Sequence, residues 1–581
     1  MPSSTIAVFP RTFAAANLYP NDDPYLSNPA AQKLVEFFTT KGLPALKDED
    51  RSEKWYADWL TYQAKHRLYA SVLSPRAFST LGYELDLLKL TRFLEVFAFF
   101  SPAHGYSLQV SFLGLFPILM SSQPELKREA VAALEAGGLF ALGVSEKEHG
   151  SDLLATEFTL KPSPSGGFIA NGRKHYIGNA NCATIISVLA RPDRTRRAPV
   201  VFFALRTSSP AYGAVKKIRT IGIRQAFVGS FEVKDHPLKQ ADVFAEGRKA
   251  WDAVFGTVTL GKFFLGFGSI GICQRALHEA ITHMRGRVLY GKSVIEMPHI
   301  RSLVAQAYAR LLAIKLYAYR ALDYLQSASP DDRRYLLYCA VQKAKVSTEG
   351  VKVISLLSEC IGAKGFESDT WFETALRDAQ LIPSLEGSTH INMNLAAQFI
   401  PRYLTPDPAG PPSPPAPTSL LTGEAQSGEN PYLFEARTGG INTIAFPNPR
   451  QSFKPVESVP NVRLFINQLD EFASFQSNPS GKAMLADDEG SLLMGKCVSV
   501  IAYAQLVAEN AALVQLPPAE LNAIFELLVT DLSTLALMLA TSPLCHPSRA
   551  LLEKMIVIPQ YADEGWQAIT DHVTQFATSP G

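Results

Sequence analysis

The sequence predicts an α+β protein: helices, then a small antiparallel β-domain, then helices again, with an extra helical domain behind a linker. Three observations predict it. Residues 30–138 carry apolar side chains at helical spacing with few β-branched runs. At Ala141 the texture changes to short β-rich runs, and helical spacing returns near Trp251. Residues 405–430 are rich in Pro, Ser and Gly, a composition that reads as a semi-rigid spacer rather than a packed core.

Bulk composition bounds the rest. At about 150 residues per domain, the chain has room for roughly four domains. Hydrophobic residues make up 47% and charged residues 19%, which suits large buried cores and excludes disorder. A net charge of +1 gives no long-range field for nucleic acid. Six cysteines form no CxxC pair and lie in apolar segments, so reduced thiols are expected and no metal site.

In chain order, Tyr83, Leu87, Leu90 and Leu94 are spaced for one helix face. The apolar stretch from Phe93 to Met120 is interrupted by Glu95, Pro102, His104 and Gly105, so buried helices are expected there and no membrane span. Strands are expected over 157–160, 168–170, 176–177, 184–190, 200–205, 215–218 and 230–233, with Asn171-Gly172 as a type I′ hairpin turn. Ile300, Leu303, Val304, Ala307, Leu311 and Ile314 mark a long helix. Further helices fit 330–363 and 387–403, and three or four fit 431–581. No basic, apolar secretory leader is present; residues 1–21 hold Arg11, small and hydroxyl residues and no acid before Asp22, a composition a weak transit peptide shares. A cytoplasmic location is expected, or the mitochondrial matrix in a eukaryote.

Several short motifs carry chemistry. Gly143-Val-Ser-Glu-Lys-Glu-His-Gly-Ser-Asp152 stands at the entrance to the β-domain, where small residues and hydroxyls let backbone N–H groups approach a flat or phosphorylated ligand. Then come Lys174-His-Tyr-Ile-Gly-Asn179, Arg287-Val-Leu-Tyr-Gly-Lys292, Glu359-Cys-Ile-Gly-Ala-Lys-Gly-Phe366 and Arg377-Asp378, followed by Leu385-Glu-Gly-Ser-Thr389. Each alone could be structural. Their order and spacing together resemble the acyl-CoA dehydrogenase family over roughly residues 30–400.

The resemblance implies an N-terminal helical domain (30–138), a central antiparallel β-barrel domain (139–240), a four-helix bundle (241–404), a linker (405–430) and an extra helical domain (431–581). It implies FAD as cofactor and α,β-dehydrogenation of an acyl thioester to the trans-2-enoyl thioester. Glu386 would be the base, and flavin N5 the hydride acceptor. A C–H beside a thioester is a very weak acid, so the carbonyl oxygen must be held by donors and the carboxylate desolvated. Glu386 ends the apolar run Ile-Pro-Ser-Leu-Glu-Gly, which suits such a carboxylate. Cofactor contacts are implied for Leu142, Val144, Ser145, Gly150, Ser151, Tyr176, Ile177, Gly178, Arg287, Tyr290, Glu359, Gly362, Ala363, Ser388 and His390. Substrate contacts are implied for Ser151, Thr259, Lys262 and Gly387. Some cofactor contacts would come from a second copy, so at least a homodimer is implied, as is an electron-transfer flavoprotein partner. The lengthened chain suggests medium or long acyl groups.

The chain departs from the family pattern at named positions. Gly178 replaces a hydroxyl residue near flavin N5, Pro298 replaces a Gln, Glu359 replaces another Gln, Lys262 replaces an Arg, and His149 stands where a small residue is usual. Three other readings share the motifs: an acyl-CoA oxidase, a dehydrogenase of carrier-protein-bound acyl groups, and a flavoprotein relative that binds DNA. The last is disfavoured because acids outnumber bases beyond the linker.

Overall fold

A computed structural model describes residues 28–193, 198–408, 410–415, 428–435 and 437–576. The expected transit-peptide segment at 1–21 and linker residues 416–427 lie outside the described residues. The chain divides into two compact units, one of residues 27–264 with 427–439, the other of 265–426 with 440–581.

The first unit opens with seven helices: α1 (Pro29–Lys41), α2 (Leu43–Arg51), α3 (Ala57–His66), α4 (Ala70–Leu73), α5 (Leu87–Phe100), α6 (Pro102–Leu119) and α7 (Pro124–Glu135). Helix α5 starts where the Asp86 carboxylate accepts from the Lys89 N–H, so Tyr83 lies outside it, against the expected four-residue face. Ser101 and Pro102 break the apolar stretch into α5 and α6, both buried over most of their length. Phe38, Trp59, Phe97 and His104 pack ring to ring at this domain's centre.

The β-domain comprises β1 (Leu139–Gly143), β2 (Thr159–Pro162), β3 (Phe168–Gly178), β4 (Ala183–Ala190), β5 (Val201–Arg206), β6 (Tyr212–Lys217), β7 (Val228–Leu238) and β8 (Val243–Glu246). They form two four-stranded sheets, ordered β1-β4-β5-β8 and β2-β3-β7-β6. Every pairing is antiparallel except β1 with β4. Phe158, Ile186, Phe203 and Phe231 fill the core of this domain. Asn171-Gly172 is not a hairpin turn: both residues lie inside β3, where the register with β7 shifts. Gly172 has φ of 150°, and a Cβ there would meet the Phe158 ring at 2.6 Å, so glycine serves close packing rather than a turn.

Helix α8 (Arg248–Gly286) begins in the first unit and continues into the second. The second unit holds α9 (Pro298–Gln326), α10 (Tyr335–Val341), a π turn at Gln342–Val346, α11 (Ser347–Ile361), α12 (Trp371–Leu381), α13 (Thr389–Ala397) and α14 (Ile400–Tyr403). After the linker come α15 (Arg450–Phe453), α16 (Pro460–Ser477), α17 (Pro479–Ala486), α18 (Asp488–Leu513), α19 (Pro518–Ala540), α20 (Arg549–Lys554) and α21 (Asp563–Phe576). Helices α18, α19 and α21 pack on α9, and α18 also packs on α13, so the extra domain shares a core with the bundle.

Two boundaries differ from expectation. Linker residues 412–414 are docked, with the Pro412 and Pro414 carbonyls accepting from Arg334 (2.7 Å) and Arg320 (2.9 Å). Residues 428–435 belong with the first unit, where Glu429 accepts from the Arg76 N–H (2.8 Å) and Phe434 packs on Phe116. Among the described residues, three helices, α8, α18 and α19, are long and apolar enough to cross a membrane; 83%, 78% and 56% of their most apolar windows are buried inside the protein.

Candidate functional site

The expected site residues fall in both units, and each half is described by itself.

In the first unit, β1 delivers Leu142 and then Val144 and Ser145 to the edge of β3. The His175 N–H donates to the Ser145 carbonyl (3.0 Å), and the Ser145 hydroxyl donates back to the His175 carbonyl (2.7 Å). This brings Val144 and Ser145 beside Tyr176, Ile177 and Gly178. The loop that follows is closed at its base by Glu146. Its carboxylate accepts from the Lys174 ammonium (2.8 Å), the Thr156 hydroxyl, and the N–H groups of Glu157 (2.8 Å) and Phe158 (3.1 Å). Lys174 also donates to the Val144 carbonyl (3.0 Å). The loop tip, with Gly150 and Ser151, is exposed.

Burial alone would neutralise both ions of this pair. Burial pushes the Lys174 ammonium down to about 8, against the pull of Glu146. For Glu146, burial pushes upward, but the Lys174 charge and the hydrogen bonds outweigh it and hold the carboxyl below its ordinary value. The loop therefore has a fixed base and a free tip.

The end of β3 is shaped by two left-handed residues, Tyr176 (φ 61°) and Asn179 (φ 56°). Such non-glycine conformations cost about 1–3 kcal/mol each and persist where their surroundings enforce them. Here the buried Asn179 amide donates to the carbonyls of Ser107 (3.0 Å) and Phe140 (3.2 Å). Tyr176 is 61% exposed, while Ile177 and Gly178 are buried. Gly178 has no room for a side chain, since a Cβ would lie 2.7 Å from both Tyr106 Oη and Val110 Cγ2. The missing hydroxyl at 178 therefore has a steric cause on α6. Thr259 and Lys262 are buried on α8.

In the second unit, α12 ends in a 3₁₀ turn, Ile382–Ser384, before Glu386. Glu386 (φ 50°) and Gly387 (φ 85°) are consecutive left-handed residues, and Glu386 is half-buried. The Asn392 amide holds this turn from α13, donating to the carbonyls of Gly387 (3.0 Å) and Ser388 (3.1 Å). Ser388 bonds the exposed His390 ring (3.0 Å). Arg377, ahead of the turn, pairs with Glu373 (2.5 Å) and lies 4.0 Å from Asp378.

Arg287 and Tyr290 sit on a two-stranded hairpin, Val288–Leu289 with Lys292–Ser293, and both are exposed. Glu359 is exposed in the last turn of α11, where the Gly362 N–H donates to its carbonyl. Gly362 (φ 57°) and Ala363 open an exposed 3₁₀ turn ending at Phe366. Burial pushes the His283 imidazole down, assisted by the Arg287 and Lys364 charges.

Sequence reasoning named Ser145, Glu146 and Lys174 within motifs but missed the ion pair; a lysine in the middle of a strand beside a loop glutamate was its only signal. It missed Tyr106 entirely, because that residue lies in an apolar helix without a motif.

The order helical domain, β-domain, helical bundle with a carboxylate on a left-handed turn defines a three-domain dehydrogenase fold extended at its C-terminus. Residues 141–236 match the acyl-CoA dehydrogenase middle domain, and residues 249–400 match the acyl-CoA dehydrogenase C-terminal domain. The cyclohex-1-ene-1-carbonyl-CoA dehydrogenase of Geobacter metallireducens is 24% identical over 322 residues, 55% of this chain and 83% of that protein. The acyl-CoA dehydrogenase of Bacillus anthracis, solved with FAD, superposes with a TM-score of 0.72 at 14% identity, covering 97% of each chain. The butyryl-CoA dehydrogenase of Megasphaera elsdenii gives 0.60 at 19% identity, covering 66% of this chain and all of that one. Residues 141–236 and 249–400 therefore carry the acyl-CoA dehydrogenase middle and C-terminal domains.

Proposed function

We propose that this protein binds FAD and dehydrogenates an acyl-CoA thioester between its α and β carbons, with Glu386 as the base. The observation that carries the proposal is Glu386 itself: a half-buried carboxylate on an enforced left-handed turn, nine residues after Arg377. Strained backbone of this kind concentrates at reactive positions. On this reading the carboxylate takes the α-proton, and a backbone N–H of the turn holds the thioester carbonyl as charge develops there. Bound FAD supplies the acceptor for the β-hydride.

The residues present fit the cofactor. The segments Val144–Ser145 and Tyr176–Gly178, tied together through His175 and the Glu146–Lys174 pair, form the rigid backbone proposed to line the planar heterocycle. Exposed Arg287 offers paired donors to a pyrophosphate. Glu359 is exposed, so water screens its carboxylate from that group. Ser388 and His390 add hydroxyl and imidazole donors. The fold shared with a relative solved with FAD supports the same assignment.

A homodimer with an electron-transfer flavoprotein as acceptor completes the reading. Its support is the exposure of large apolar side chains beside Arg287, Val288 at 64% and Tyr290 at 98%, and on the turn ending at Phe366, at 95%. Exposed apolar side chains of that size suit an interface, and a second copy is the partner proposed. The test is direct. The purified protein should be yellow, and an acyl-CoA thioester should bleach it without air; a colourless protein that takes up no FAD would overturn the proposal.

A further inference from the structure

The extra C-terminal domain reaches the turn that carries Glu386 through two contacts in series. The first lies on α13. Asn392 is 1% exposed, and its amide donates to the carbonyls of Gly387 (3.0 Å) and Ser388 (3.1 Å), directly after Glu386. On the same helix, the Thr389 hydroxyl donates to the Pro383 carbonyl (3.3 Å), so the chain from Pro383 to Ser388 is tied to α13 at both ends. A glutamate with φ of 50° is in a conformation that a free loop rarely keeps, and these bonds hold it there.

The second contact seats α13 itself. Gly495, buried on α18, lies against Met393, the residue that follows Asn392. A Cβ on Gly495 would stand 2.7 Å from the Met393 carbonyl carbon and closer still to its oxygen, so the two helices meet backbone to backbone. Helix α18 is anchored elsewhere on the bundle. The Asn510 amide donates to the Leu316 carbonyl on α9 (2.7 Å), and Gln505 accepts from the Tyr403 hydroxyl on α14 (2.6 Å). Close-packed interiors pass a displacement on rather than absorb it. A side chain at 495 therefore moves α13, with Asn392 one residue away.

We infer that the extra domain positions the catalytic base: Gly495 sets where α13 lies, and Asn392 carries that placement to Glu386. Both are positioning residues. The inference rests on the function proposed above. Proton abstraction is sensitive to such placement, since a shift of about 1 Å costs about 100-fold in rate.

The test is the rate of flavin bleaching without air, per bound flavin, at a saturating concentration of whichever of butanoyl-, octanoyl- and hexadecanoyl-CoA acts fastest on the unaltered protein. Asn392→Ala and Gly495→Ala should each slow that rate at least about 10-fold with flavin still bound. Gly565→Ala is the control. A Cβ there would stand 2.9 Å from the Ala519 carbonyl carbon, a clash of the same kind, but between α21 and α19. It should lower the melting temperature and keep the rate per bound flavin. An unchanged rate in Gly495→Ala, or an equal slowing in Gly565→Ala, would overturn the inference and leave the proposed function standing. Where Gly495→Ala yields no folded protein, Asn392→Ala decides, and an unchanged rate in it overturns the inference. Bleaching of the unaltered protein by none of the three thioesters would overturn the proposed function, and the inference with it.

Discussion

Lys174 and Glu146 form a buried ion pair at 2.8 Å that closes the base of the loop carrying Gly150 and Ser151. The lysine side chain is fully buried, and the glutamate has three further donors beyond it. Removing one partner of such a pair leaves an uncompensated charge inside the protein, which costs about 3–5 kcal/mol. Lys174→Met should therefore lower stability by that amount in a denaturant titration. It should also loosen Val144, whose carbonyl loses its donor, and weaken retention of FAD.

The same pair predicts pH dependence. Glu146 titrates below its ordinary 4.5 in the folded protein, so its contribution is present above that value and lost as pH falls through its lowered value. Lys174 titrates near 8 folded and near 10.5 unfolded, so between those values the unfolded chain binds the extra proton and stability rises with pH. Thermal melts across acid and alkaline pH should show both trends, and Glu146→Gln should flatten the acid one.

Gly178 is glycine because α6 fills its side-chain space. Gly178→Val should cost about 1–3 kcal/mol through overpacking. Adding Tyr106→Ala should recover part of that loss, a coupling visible in a double-mutant cycle by denaturant melts. Independent effects of the two changes would contradict the contact.

The extra C-terminal domain is tied to the bundle through buried charge. The Lys345 ammonium donates to Glu349 (2.9 Å) and to Asp531 on α19 (2.7 Å), while Arg310 donates to Glu349 (2.6 Å). Burial lowers the Lys345 value, but Asp531 and Glu349 outweigh it and raise it above the ordinary lysine value. Its contribution is therefore complete at neutral pH and lost only in alkali. Lys345→Met leaves the buried Glu349 and the half-buried Asp531 sharing Arg310 and the half-exposed Lys352, and should destabilise, by up to about 3–5 kcal/mol. The bundle and the extra domain are expected to unfold together, because they share a core; hydrogen exchange showing the extra domain opening well before the bundle would contradict it.

Periodicity made the helix, strand, helix order legible, and the motif spacing singled out Glu386, Arg287 and the Tyr176–Gly178 segment as candidates. The Asn171-Gly172 signal misled because glycine also serves where a strand passes close to a core ring, here Phe158, and local sequence does not separate the two uses. The linker was read as a spacer from composition alone, yet Pro412 and Pro414 dock through backbone carbonyls, which every residue has. Tyr106 and the Lys174–Glu146 pair act through contacts distant in sequence, so no local pattern announces them.

The central claim is that the Glu386 carboxylate removes the α-proton, and Glu386→Gln tests it most directly. The substitution keeps side-chain size and removes the base. Measured by anaerobic stopped-flow with the acyl-CoA that bleaches the unaltered protein fastest, the variant should hold FAD as the unaltered protein does and bleach at least about 100-fold more slowly. Bleaching at an unchanged rate would contradict the account.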